Sequence, residues 1–203
     1  LKFERGQEKV QAFPVELLSW KNIKIKLGKF TLESSEGVLN KNEIIGVLGE
    51  NGTGKSSFVK VLAKQIESEG TIKGDVKVSF KPQYLDYSEN ETLVAEFLKE
   101  AISNYQNQLI KPLDLEKLFT KKLCNLSGGE LQRVVVANCL SKDAELFLLD
   151  EPSAYLDVEQ RLIVSKVIKR ITEERDSTVL IVDHDLMFLD HLSDRLLVFT
   201  GEP

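Results

Sequence analysis

Residues Gly49-Glu50-Asn51-Gly52-Thr53-Gly54-Lys55-Ser56 fit the spacing G-x-x-x-x-G-K-[ST]. In that pattern a glycine-rich turn curls its N–H groups around phosphate oxygens, and a lysine brings a charge to the outer phosphates of a nucleotide. The apolar run Ile44-Ile45-Gly46-Val47-Leu48 precedes the turn, and Phe58, Val59, Leu62 and Ile66 follow it at helical spacing. The turn therefore joins a buried strand to a helix N-terminus, where anions bind. Asn51, Gly52, Thr53, Gly54, Lys55, Ser56 and Ser57 are the candidate phosphate contacts, and the Ser56 hydroxyl is a candidate ligand for Mg²⁺.

A second group of residues supplies carboxylates. Leu146-Phe147-Leu148-Leu149 ends in Asp150-Glu151, a buried strand delivering two acids to its carboxyl end, where ligands of parallel sheets bind. Asp150 suits the Mg²⁺ shell, while Glu151, pointing differently because strand residues alternate, is the candidate for orienting or deprotonating a water. His184 follows the apolar run Thr178 to Val182 and is placed to reach a terminal phosphate from the sheet edge. Ser127-Gly128-Gly129-Glu130 reads as a capping box opening a helix, and its bare glycine N–H groups also suit an anion. The chain's own phosphates already have Lys55 and its loop, so this second anion site is expected to serve a neighbouring molecule.

The 203 residues, with a formal charge of −5, allow one large domain or one domain with a lobe, and disfavour a broad basic surface for nucleic acid. Lys111, Lys117, Lys121 and Lys122 form a local cluster that reads as a solvated face. No apolar run approaches the roughly 18 residues of a membrane span, and the N-terminus lacks a secretory apolar segment, so a cytoplasmic protein is expected. Cys124 and Cys139 lack metal-site spacing and read as reduced, buried thiols.

The elements that must position these residues follow from periodicity. Ile23-Lys24-Ile25-Lys26-Leu27 and Phe30-Thr31-Leu32 alternate as short strands, so residues 1–43 are expected to be mainly antiparallel β. Val76 to Phe80 is a further strand. From Glu91 to Lys122 apolar residues recur at three- and four-residue steps, predicting a helical lobe over about 88–140. Apolar runs at Leu146–Leu149, Thr178–Val182 and Leu196–Phe199 alternate with helical stretches. Together they predict an α/β domain over 1–203 with a mostly parallel sheet covered on both faces.

These motifs, in this order, resemble the ATP-binding-cassette (ABC) family. The resemblance runs from the P-loop through Gln83 (the Q-loop), the Leu126 to Glu130 signature, Asp150-Glu151, the D-loop Ser153-Ala154-Tyr155-Leu156-Asp157 and the switch-like His184. It implies a P-loop nucleotide-binding domain that hydrolyses ATP with Mg²⁺, in which two cassettes pack head to tail and the signature acts in trans. Gln83 would sense Mg²⁺ and water, Asp157 would line the contact between sites, and an upstream aromatic would stack on adenine. Phe30 is the candidate for that role, ahead of Leu27 and Trp20. Glu130-Leu131-Gln132-Arg133 and Tyr155 depart from transporter cassettes. The stretch Glu151 to Arg161, Asp194-Arg195 and the ending Val198 to Pro203 are similar to the second cassette of the E-type, or RNase L inhibitor, branch. That branch implies ribosome splitting and recycling, a partner cassette, the small ribosomal subunit and the release machinery. The cysteine-rich iron-sulfur domain, first cassette and hinge of the branch pattern do not occur in these residues, so the chain reads as a second cassette cut from a larger protein. The alternatives are an ABC-transporter subunit or an F-type translation-associated ATPase.

Overall fold

The computed structural model describes residues 14–27 and 30–201. The part of the expected antiparallel unit on residues 1–13, the Leu27 side chain and the terminal Glu202-Pro203 lie outside what is described. Strands β1 (Glu16–Leu27) and β2 (Phe30–Asn40) pair antiparallel, then β3 (Ile44–Gly49) leads into helix α1 (Lys55–Leu62). Strand β4 (Glu69–Lys73) returns to β1 and completes a three-stranded sheet ordered β2-β1-β4. The antiparallel sheet thus recruits a strand from beyond the P-loop helix, because the second edge of β1 needs a hydrogen-bonding partner.

Alternation within β1 changes phase. Leu18 and Trp20 are buried, and so are Ile23 and Ile25, which a strand of strict period two cannot achieve. A bulge resolves the conflict: Asn22 has φ 53°, and the pairing with β4 shifts between Lys21 and Lys24. Gly70 lies across from it with φ 103°, and a Cβ there would meet the Asn22 carbonyl oxygen at 2.3 Å, so only glycine accommodates the close approach.

The chain continues through β5 (Val78–Lys81), shorter and later than the expected Val76–Phe80, into the lobe. The lobe comprises α2 (Val94–Phe97), α3 (Lys99–Asn104), a π turn at Gln106–Ile110, 3₁₀ turns at Glu116–Leu118 and Leu123–Asn125, and α4 (Gly128–Ser141). The helical periodicity from Glu91 is thus spent on short pieces. What holds them is burial of Leu98, Leu109, Leu113, Leu118 and Leu123 against α4. Arg175 reinforces the joint, its guanidinium lying 5.2 Å from the Tyr105 ring centre and 5.1 Å from that of Phe147 while donating to the carbonyls of Leu140 and Lys142.

Then come β6 (Leu146–Asp150), α5 (Val158–Arg175), β7 (Thr178–Val182), α6 (Leu186–Leu192) and β8 (Arg195–Phe199). Strands β5-β6-β7-β3-β8, in that order, form a five-stranded parallel sheet. Alternation along these strands feeds two cores. Ile44, Phe147, Leu149, Val179 and Ile181 face the lobe, α5 and α6; Ile45, Val47, Leu146, Leu148 and Leu180 face α1 and the antiparallel sheet. Every residue of β6 and β7 is buried, as required of central strands covered on both sides. Cys139 is buried, with its thiol pushed up to about 11 by burial, whereas Cys124 is only half-buried; both are free. Among the described residues no helix is long and apolar enough to cross a membrane.

Phe58 of α1 joins the sheets, its ring meeting Trp20 edge-on at 5.1 Å and Phe199 at 5.4 Å. Phe58→Ala should therefore cost about 3–5 kcal/mol. The measurement is urea unfolding followed by emission of Trp20, the single tryptophan; an unchanged midpoint would deny Phe58 that role.

Candidate nucleotide site

The carboxyl ends of β3, β5, β6 and β7 meet along one edge of the parallel sheet, and the loops that leave them carry the candidate residues. After β3 the chain turns through Gly52 at φ 84° and Gly54 at φ 91°. Gly54 caps α1 without a side-chain hydrogen bond, so the first N–H groups of the helix are left for a ligand. The Lys55 ammonium folds back onto the carbonyls of Gly49 at 2.8 Å and Glu50 at 2.7 Å. Burial holds its pKa below the usual lysine range, opposed by the charges of Asp150 and Glu151. The Thr53 hydroxyl turns away to the Glu50 carbonyl at 2.8 Å.

Asp150 ends β6 with a relative exposure of 1%, and neither carboxylate oxygen has a hydrogen-bond partner. Burial pushes this carboxyl above its ordinary range. The Ser56 hydroxyl beside it pulls the other way, although its geometry falls short of a full hydrogen bond to either oxygen. Such an orphaned pair of oxygen ligands is what a hydrated divalent cation would complete. No cluster of three or more His, Cys, Asp or Glu capable of holding a metal occurs among the described residues. Asp150 and the neighbouring Ser56 hydroxyl are the oxygen donors present here, a set that fits a cation with most of its coordination supplied from elsewhere.

Glu151 has φ 50°, a left-handed conformation costing a non-glycine residue roughly 1–2 kcal/mol. Its N–H donates to the Val182 carbonyl at 2.7 Å. The carboxylate Oε1 accepts from Gln83 Nε2 at 2.8 Å and lies 2.9 Å from His184 Nε2. The three residues line one cleft of 590 Å³ together with Phe30, Asn51, Gly52, Gly54, Lys55, Ser56 and Ser57, a size suited to a nucleotide. Phe30 lies over Gly54, where a Cβ would meet the ring at 2.7 Å. Trp20 is instead committed to the core, covering Gly37 and donating from its indole to Ser34 at 2.8 Å. A cleft of 570 Å³ on the antiparallel sheet, between Lys21, Glu36, Thr71 and Lys73, gathers no comparable set.

Ser127, Gly128, Gly129 and Glu130 stand outside the cleft. Ser127 N–H donates to Glu130 Oε2 at 2.9 Å and the Ser127 hydroxyl accepts from the Glu130 N–H at 3.4 Å, a complete capping box on α4. A hydrogen bond from Lys121 holds the Glu130 carboxyl below the usual range. The two glycines pack on the Tyr155 loop, where a Cβ at Gly128 would meet the ring at 3.1 Å. Asp157 also lies outside, capping α5 by accepting from the Gln160 N–H at 2.8 Å.

Three residues at the site escape a reading of the sequence. Lys81, fully buried at the end of β5, donates to the carbonyls of Asp150 at 2.7 Å and Glu151 at 3.2 Å. Burial lowers its pKa to about 8. Gln132, in the first turns of α4, donates to the Glu151 carbonyl at 2.7 Å. Asp183 accepts from the Ser153 N–H at 3.0 Å and hydroxyl at 2.7 Å, tying the loops after β6 and β7 together. Lys81 closes Val78-Ser79-Phe80 two positions before Gln83, a short mixed stretch with nothing that marks the lysine out.

The family profile described as ABC transporter matches residues 32–154. An uncharacterized ABC transporter ATP-binding protein of Methanocaldococcus jannaschii is 53% identical over 193 residues, covering 92% of this chain and 32% of that protein. ABC transporter E family member 3 of Arabidopsis thaliana is 42% identical over 158 residues, covering 72% of this chain and 87% of that protein. Among solved structures, the archaeal ribosome recycling factor aABCE1, in complex with the archaeal ribosomal stalk protein aP1, superposes with a TM-score of 0.91 at 44% identity. It is matched over 100% of this chain and 40% of its own. The chain thus spans about a third of the length of the Methanocaldococcus jannaschii protein and of ABC transporter E family member 1 of Arabidopsis thaliana. With the Lys55 loop, Gln83, Glu151 and His184 around one cleft, and a profile over most of its length, the chain belongs to the ATP-binding-cassette family, in its E-type, RNase L inhibitor branch.

Proposed function

We propose that the chain is the second cassette of an E-type protein, binding and hydrolysing ATP when it closes head to tail on another cassette, and that the cycle drives ribosome splitting and recycling. The observation that carries the catalytic reading is the shared Glu151 oxygen. One carboxylate accepts from Gln83 and faces His184 at the edge of the Lys55 cleft, beside the unpartnered Asp150. The similarity to an archaeal recycling factor supports the ribosomal setting; the small subunit and release machinery are the partners this reading implies.

On nucleotide binding the Lys55 ammonium exchanges the carbonyls of Gly49 and Glu50 for β- and γ-phosphate oxygens, and the open N–H groups of α1 take up the rest. Phe30 supplies an apolar face for adenine. Asp150, Ser56 and Gln83 would hold Mg²⁺, which when bound neutralises charge building on the phosphates. Glu151 accepts the proton of the attacking water, Gln83 fixes that water's direction, and His184 donates toward the terminal phosphate. Ser127, Gly128, Gly129 and Glu130, outside their own cleft, face the nucleotide of the opposite cassette, with Asp157 at the contact between the sites. Closure excludes water and hydrolysis removes the bridge, so ATP favours the closed pair and ADP the open one.

Lys55→Ala should abolish most Mg-ATP affinity in direct titration, because it removes the one side-chain cation of the loop. Glu151→Gln should keep that affinity and lower single-turnover hydrolysis roughly a hundredfold or more, with closed, ATP-bound pairs accumulating. Wild-type turnover in the latter would assign the base elsewhere.

Action in trans has its own test. Ser127→Arg should leave ATP binding by the separated cassette nearly intact yet block pairing and hydrolysis. In mixed homodimers with Lys55→Ala, one site regains an intact loop facing an intact signature, so partial activity should return if one competent site suffices. Loss of ATP binding by the unpaired Ser127→Arg chain would place Ser127 in cis and end the head-to-tail reading.

A further inference from the structure

The backbone of Glu151 is held more tightly than its position at a strand end requires. Three elements converge on the two peptide groups that flank the Glu151 Cα: β7 accepts its N–H through the Val182 carbonyl, while α4 through Gln132 at 2.7 Å and β5 through Lys81 at 3.2 Å donate to its carbonyl. Gln132 and Lys81 are almost fully buried, at 1% and 0% exposure, so each loses its water and directs a donor at the same carbonyl oxygen. Neither side chain lines the nucleotide cleft. Glu151 sits at φ 50°, and a strained conformation persists only where its surroundings over-determine it. Released from these donors the peptide would relax toward an ordinary backbone region, swinging the carboxylate away from Gln83 and His184.

We infer that Gln132 and Lys81 are positioning residues for hydrolysis, clamping the Glu151 carbonyl so that the left-handed backbone aims its carboxylate into the cleft. The inference rests on the proposed role of Glu151 as base. Gln132 sits two residues beyond the Ser127 to Glu130 cap, on the same rigid helix. A shift of that helix when a signature meets nucleotide is therefore felt at the base through a single hydrogen bond. Signature engagement and base alignment become one event.

The test is steady-state and single-turnover hydrolysis in the intact, paired protein. Gln132→Leu, nearly isosteric, should lower kcat about 10- to 100-fold, the scale of a misplacement near 1 Å, while KM for Mg-ATP stays within about threefold. In a Glu151→Gln background the same change should cost nothing further, because a clamp acting through the carboxylate has nothing left to aim. Lys81→Met is the parallel variant should Gln132→Leu fail to fold, with the same split and the same non-additivity expected. Wild-type kcat in a folded clamp variant, a KM change as large as the kcat change, or a full additional loss in the double variant would each overturn the inference. If Glu151→Gln itself hydrolyses at the wild-type rate, the catalytic reading falls too; if it is inactive while Gln132→Leu and Lys81→Met are normal, only the clamp falls.

Discussion

A carboxylate taken out of water costs several kcal/mol unless charge or hydrogen bonds replace its hydration, and Asp150 is buried with both oxygens unpartnered. The surroundings answer with cations. Lys55 and Lys81 are both pulled below the usual lysine range by burial and lifted back by Asp150 and Glu151. Yet neither lysine hydrogen-bonds the Asp150 carboxylate, for both ammonium groups donate to backbone carbonyls instead. The compensation is long-range, which leaves the oxygens of Asp150 free to accept a further cation.

That arrangement is possible because β6 is central and fully buried. Its neighbours β5 and β7 deliver Lys81 and Val182 to the same edge in parallel register, Lys81 against Leu149 and Asp150 against Val182. Both faces of the sheet are covered, one by α1 and the antiparallel sheet and the other by the lobe, α5 and α6. The loops leaving the edge are tied to one another: Asp183 binds Ser153, and Arg161 of α5 pairs with Asp185 at 2.5 Å. The sheet edge is thus cross-tied between loops, whereas the Lys55 ammonium hydrogen-bonds only carbonyls of its own loop.

The lobe makes a different compromise. Its short helices and π turn lack individual stability, but their leucines share the core of α4, and Arg175 fixes α4 to the sheet. The capping box on Ser127 and the Gln132 hydrogen bond lie at the two ends of the first turns of that helix. Intrinsic helix strength is replaced by attachment, so the lobe can carry its glycine-rich tip as a unit.

Much of this was legible in the residues because local patterns carry local physics. The glycine spacing before Lys55 dictates a tight strand-to-helix turn with glycines at positive φ, continuous apolar runs dictate strands buried on two faces, and Ser127 with Glu130 dictates a helix cap. The limits were equally physical. Period-two alternation could not foresee the Asn22 bulge or the recruitment of β4, since both depend on which strand becomes the neighbour. Helical periodicity after Glu91 marked an apolar face but not its division into short pieces, which packing decides. Lys81, Gln132 and Asp183 carried no usable signal, because a polar residue in an apolar stretch acquires its meaning from the carbonyl or amide it meets across the sheet. The sequence by itself determined where the glycine turn, the paired acids and the helix cap fall along the chain. Only the tertiary structure decided that Lys81, Gln132 and Val182 meet on the Glu151 backbone, because hydrogen bonds between positions up to 70 residues apart exist only once the sheet order is set.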